Sequence, residues 1–151
     1  MKSKLFFIFI YSVFVQLHAD SPKQDILFHW YAHSLQDCEV FHHTILTFAK
    51  RYQDSGITAI GAADSNGVAF GSALADALDL PLVLQTDDFK SGDRVLIVDD
   101  VLATGSMTQI SVEAVKKSGA DPIEVACLIE ISALQGRNNV SIPVFSFLKT
   151  E

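Results

Sequence analysis

The residues best suited to chemistry are concentrated in RVLIVDDVLATGS, residues 94–106. An apolar run leads into two adjacent carboxylates, Asp99 and Asp100. The turn Ala103, Thr104, Gly105 follows, and then Ser106, Met107 and Thr108. Ionised carboxylates only accept hydrogen bonds, so an adjacent pair suits the vicinal hydroxyls of a sugar. Small residues in a turn let backbone N–H groups approach an anion, and the start of the following helix favours negative charge. The hydroxyls of Thr104, Ser106 and Thr108 add donors. Together the string describes a pocket that holds a ribose and its 5′-phosphate at once. The plainer reading is an acidic pair that ends a strand and caps the next helix. The Ala-Thr-Gly turn at fixed offset after the acids favours the ligand.

Such a loop needs a strand behind it and a helix in front, and the flanking sequence supplies both. Residues 94–99 form a near-continuous apolar run, as expected of a parallel strand buried on both faces. Residues 105–117 have helical spacing, with Met107, Ile110 and Ala114 expected inward and Gly119 as the stop. Upstream, Asp37 is placed to cap a helix whose inner face carries Phe41, Ile45, Phe48 and Tyr52, ending at Gly56. Residues 57–63 read as a strand that ends in the polar loop Asp64, Ser65, Asn66, Gly67. A second helix follows, with Phe70, Leu74, Ala77 and Leu78 inward, stopping before Pro81. Residues 82–84, 123–131 and 142–147 read as further strands, and 85–93 as a polar connection in which Asp87 and Asp88 form a solvated turn. Alternating strands and helices predict a three-layer α/β fold, a mostly parallel sheet with helices on both faces. Ligands bind such sheets at the carboxyl ends of the strands, where the loops at 64–67 and 99–106 both lie.

A chain of 151 residues makes one domain with a sizeable core. Its formal net charge of −7 argues against a general nucleic-acid surface. Residues 1–19 read as a secretory signal: Lys2 and Lys4, an apolar stretch, then Leu17-His18-Ala19 as a cleavage site. The apolar stretch is too short for a stable membrane span, which needs about 20 residues. The expected organisation is thus a signal over 1–19 and one domain over 20–151, exported to a periplasmic or extracellular location if the signal operates and cytoplasmic otherwise. Cys127 falls in a strand-like run and reads as a small buried hydrophobe; a bridge to Cys38 is an open alternative. His29, His33, His42 and His43 have no compact ligand spacing and read as surface or packing residues. Phe28, Trp30 and Tyr31 can stack on a purine, though packing is the plainer reading.

Residues 94–105 resemble the diphosphoribose-binding signature of type I phosphoribosyltransferases, in particular the adenine phosphoribosyltransferase family. SPKQDILF (21–28), IGAADSNGVAFG (60–71), LIEISALQGR (128–137) and PVFSFL (143–148) are similar to further family segments in the same order. The resemblance implies transfer of a phosphoribosyl group from phosphoribosyl diphosphate to a purine, most simply adenine to give AMP. It implies Asp99 and Asp100 as the catalytic pair on the ribose hydroxyls. Ala103, Thr104, Gly105, Ser106, Met107 and Thr108 would lie on the phosphate, and Ser65, Asn66 and Gly67 on the pyrophosphate. Phe28 and His29 would lie beside the base. It also implies magnesium held through the substrate, with no metal site from the protein alone, and a homodimer.

Four departures from the pattern stand out. Asn66 replaces an arginine, and residues 85–93 replace a long mobile loop that carries a catalytic carboxylate. Ser106-Met107-Thr108 differs from the usual small and hydroxyl run, and His29-Trp30-Tyr31 from a basic–acidic pair. They imply a second reading, a ribose-phosphate or nucleotide-binding module of the same fold that has lost catalysis.

Overall fold

The computed structural model describes residues 38–65, 67–85 and 88–150. The chain divides into two compact units, Met1–His42 and His43–Glu151. Expectations for the signal, the Asp37 cap, Phe28, His29, Trp30, Tyr31 and His33 fall outside the described residues, as do those for Asn66 and Asp87. Asp88 is described and is exposed.

Helix α1 (Cys38–Tyr52) straddles the boundary between the units. Then come β1 (Ala59–Ala62), α2 (Gly67–Leu78), β2 (Leu82–Val83), β3 (Arg94–Leu102), α3 (Ser106–Lys117), β4 (Asp121–Ile131) and β5 (Val144–Thr150). Two short 3₁₀ turns, Ser132–Leu134 and Gly136–Asn139, link β4 to β5. The five strands lie in the order β2-β1-β3-β4-β5, and every pairing is parallel.

The chain steps from β1 to β2 in one direction and from β3 to β4 in the other. Right-handed crossovers therefore place α2 and α3 on opposite faces of the sheet. On the α2 face, Phe48 meets Phe70 edge-on at 4.9 Å between ring centres and Phe145 at 5.4 Å. Gly71 lets α2 lie close to the sheet, since a Cβ there would come within 2.9 Å of a Val98 methyl. On the α3 face, Val112 and Val115 pack with Val95, Ile97, Val125 and Cys127. Cys127 is a buried free thiol, as its apolar run implies, and Cys38 is an exposed one. Among the described residues no helix is long and apolar enough to cross a membrane.

Three details correct the expected pattern. β3 does not stop at Asp99 but continues to Leu102, so both acids sit inside a strand. Ala77 is exposed on α2, where Gly71 and Ala75 take the buried positions alongside Phe70 and Leu74. The inward stripe of α3 is Thr108, Val112 and Val115. Met107 and Ile110, expected inward, are 60% and 57% exposed.

Candidate functional site

Asp99 and Asp100 come from the central strand, paired to β1 on one side and β4 on the other. They are only 5% and 8% exposed. The hydroxyl of Thr108, in the first turn of α3, donates to Asp99 Oδ2 at 2.8 Å. The amide of Val101 donates to Asp100 Oδ1 at 2.8 Å. Among the described residues no cation pairs with either acid. Burial and then the adjacent Asp100 charge push Asp99 up to about 7. Burial and then Asp64 raise Asp100 as well.

Asp64 was not expected in the site. One carboxylate oxygen each from Asp64, Asp99 and Asp100 lie within 4.8 Å of one another. Asp64 also accepts from the amide of Gly67 at 2.9 Å, which caps α2. The signal was present, since an aspartate three residues before a helix is a cap pattern. Gly67 brings the two loops together: a Cβ there would lie 3.0 Å from the Val98 carbonyl oxygen and 3.5 Å from Asp99 Cα. Of the expected pyrophosphate loop, Gly67 is therefore buried against β3 and Ser65 is exposed.

The turn between β3 and α3 has the backbone that its composition calls for. Gly105 caps α3 in the left-handed region at φ 77°, and a Cβ there would come within 2.2 Å of the Gly136 carbonyl oxygen. Thr104 and Ser106 are exposed, with their hydroxyls 3.3 Å apart. Thr108, expected on the phosphate, is buried and its hydroxyl donates to Asp99. Met107 and Ile110 lean over an apolar cavity of about 220 Å³, bordered also by Ala63, Leu84, Phe89 and Ser111. Asp99 and Asp100 do not line that cavity.

Sequence reasoning also missed a buried carboxylate on β4. Glu130, 5% exposed, meets Arg137 through two hydrogen bonds at 2.9 and 2.6 Å. Ser146 donates to it as well, and Lys149 Nζ lies 3.6 Å away. Arg137 is the first cause that holds this carboxyl down, at about 2. The two residues are seven apart, across a strand end and a 3₁₀ turn, and no periodic pattern marks such a pair.

A scan against models of known protein families finds no match. Among curated proteins, the adenine phosphoribosyltransferase of Syntrophotalea carbinolica is 34% identical to this chain, over 86% of this chain and 92% of its own length. The chain belongs to the adenine phosphoribosyltransferase family. A solved adenine phosphoribosyltransferase from Rhodothermus marinus superposes with a TM-score of 0.71 at 27% identity, over 77% of this chain and 82% of that one. The Saccharomyces cerevisiae enzyme, solved with an imino-altritol bisphosphate and adenine, gives 0.69 at 26%, over 76% and 82%. The Syntrophotalea match runs over 158 positions and takes in 86% of 151 residues, about 130, so the relative has about 28 positions that this member of the family lacks. In this chain the link between β2 and β3 is residues 84–93. Its described part is fastened: Phe89 is 7% exposed within the core, and Asp93 accepts from the Lys90 amide at 2.8 Å.

Proposed function

We propose that this chain transfers the phosphoribosyl group of phosphoribosyl diphosphate to adenine, giving AMP and pyrophosphate in purine salvage. The observation that carries the reading is the buried Asp99–Asp100 pair beside the Gly105 turn, in a chain 34% identical to an adenine phosphoribosyltransferase. In the proposed geometry the acids accept from the ribose hydroxyls. The backbone of Ala103, Thr104, Gly105, Ser106 and Met107, with the Thr104 and Ser106 hydroxyls, surrounds the 5′-phosphate. Ser65 and Gly67 lie beside the departing diphosphate. The reacting ribose becomes cationic as the diphosphate leaves, so fixed negative charge near the ring stabilises it.

Magnesium belongs to the same proposal. Three carboxylate oxygens within 4.8 Å form a hard donor set that fits a small divalent cation, and Asp64, Asp99 and Asp100 would hold it together with substrate oxygens. When bound, the ion would offset charge on the leaving diphosphate. Export by way of residues 1–19 is likewise proposed, and N-terminal sequencing of the mature protein tests it: an intact Met1 rejects cleavage. Light scattering tests the homodimer.

One observation favours a second reading, a ribose-phosphate binder without turnover. The β2–β3 link is only ten residues long, and its described part is anchored by Phe89, whereas a lid that excludes water needs a longer free segment. The test is purified protein with magnesium, phosphoribosyl diphosphate and labelled adenine. Labelled AMP supports transfer. Binding of AMP without turnover selects the second reading, and neither product nor binding rejects both.

A further inference from the structure

The Gly105 turn does not hold its shape alone. Its outer side lies against the 3₁₀ turn Gly136–Asn139, so closely that neither backbone tolerates a side chain at the crossing. A Cβ on Gly105 would come within 2.2 Å of the Gly136 carbonyl oxygen, and a Cβ on Gly136 within 2.1 Å of the Ala103 carbonyl oxygen. The Asn139 amide nitrogen donates to the Thr104 carbonyl at 2.9 Å. Just beyond, the Ser141 amide donates to Gln109 of α3 at 2.8 Å. The 3₁₀ turn in turn hangs from the sheet by one side chain. Arg137 grips both oxygens of Glu130 on β4 and donates through Nη1 to the Val144 carbonyl at the start of β5, at 2.7 Å.

We infer that Glu130, Arg137 and Asn139 are positioning residues for the 5′-phosphate: the Arg137–Glu130 fork fixes the Gly136–Asn139 turn, and that turn sets the direction of the backbone amides at 103–106. The inference rests on the proposed sugar-phosphate site. A guanidinium engaged with a carboxylate at two points fixes an angle as well as a distance, which a lysine cannot do. A backbone contact this tight passes a tilt of one turn to the other, because there is no slack between them. The Asn139 bond stops the Thr104 peptide from rotating, so the amide that follows keeps its aim. No atom of the clamp needs to touch the ligand.

The experiment compares AMP with adenosine, which has the same base and ribose and no phosphate, by calorimetric titration of the full chain with magnesium. Arg137→Gln should weaken AMP about 10-fold, and Arg137→Lys and Asn139→Ala about 3-fold each. Adenosine affinity should stay within about 2-fold for all three, since a change confined to the phosphate grip leaves base and ribose contacts intact. Asn139 is exposed, so its variant stays informative even if Arg137→Gln does not fold. A selective loss for AMP supports the clamp. Equal losses for both ligands, or no loss for either, overturn it. Wild-type protein that prefers AMP, with variants that keep the preference, rejects the clamp alone. Wild-type protein that binds AMP no better than adenosine rejects the phosphate site beneath it.

Discussion

Two neighbouring strands, β3 and β4, each carry buried carboxylates towards their carboxyl ends, and the surroundings of those carboxylates are opposite. Glu130 has Arg137 at two points, Ser146, and Lys149 at 3.6 Å, and its carboxyl is held well below the usual range. Asp99 and Asp100 have a threonine hydroxyl and a backbone amide, no cation among the described residues, and carboxyls pushed upward. Burying charge without a partner is costly, and a fold retains it where another species supplies the missing charge or protons. The compensated carboxylate belongs to the framework. The uncompensated pair is the one assigned to the ribose in the proposed function.

The largest contrast comes from removing one member of each group. Arg137→Ala leaves Glu130 buried without its main partner and should lower stability by about 2 kcal/mol in urea unfolding, below the full cost of a broken buried pair because the arginine side chain is 38% exposed. Asp99→Asn should act in the opposite sense and raise the stability of the ligand-free chain at neutral pH by about 1–2 kcal/mol, while abolishing turnover. A loss of stability in Asp99→Asn would erase the contrast.

The pH dependence sharpens it. Burial and the adjacent Asp100 charge raise proton loss from the folded Asp99–Asp100 pair well above the 3.8 of an unfolded aspartate. Between the unfolded and folded ranges the folded state binds more protons, so stability falls as pH rises across the window, and Asp99→Asn flattens that slope. Glu130 is depressed to about 2 from 4.5, so its contribution is complete above 4.5 and is lost as pH falls towards 2. Glu130→Gln removes the acid-side loss. Thermal unfolding from pH 2 to 8, with a chelator present, reads both slopes. The smallest effect is Thr108→Val, which removes one donor from Asp99 at a cost of about 1 kcal/mol in ligand binding and leaves the Glu130 group unchanged.

The order of elements and the parallel sheet were legible because 95–98 is a continuous apolar run and Gly56 and Gly119 mark real helix stops, at φ 72° and 87°. What was misread traces to tertiary contacts. β3 was ended at Asp99 because carboxylates rarely lie inside a buried strand, yet Leu102 beyond them is fully buried. The inner face of α3 was misplaced because Met107 and Ile110 are apolar but border a cavity, while Thr108 is polar but buried on Asp99. Asp64 was legible as a cap and went unused. The Glu130–Arg137 pair spans two elements, and only the fold brings it together.

The most direct test is AMP binding with magnesium, measured by calorimetry on the wild-type chain and on the double variant Asp99→Asn, Asp100→Asn. The account predicts saturable binding by the wild type and at least a ~100-fold loss in a variant that stays folded, about 3 kcal/mol for two charge-assisted contacts to the ribose. Equal affinity in the two proteins would contradict it.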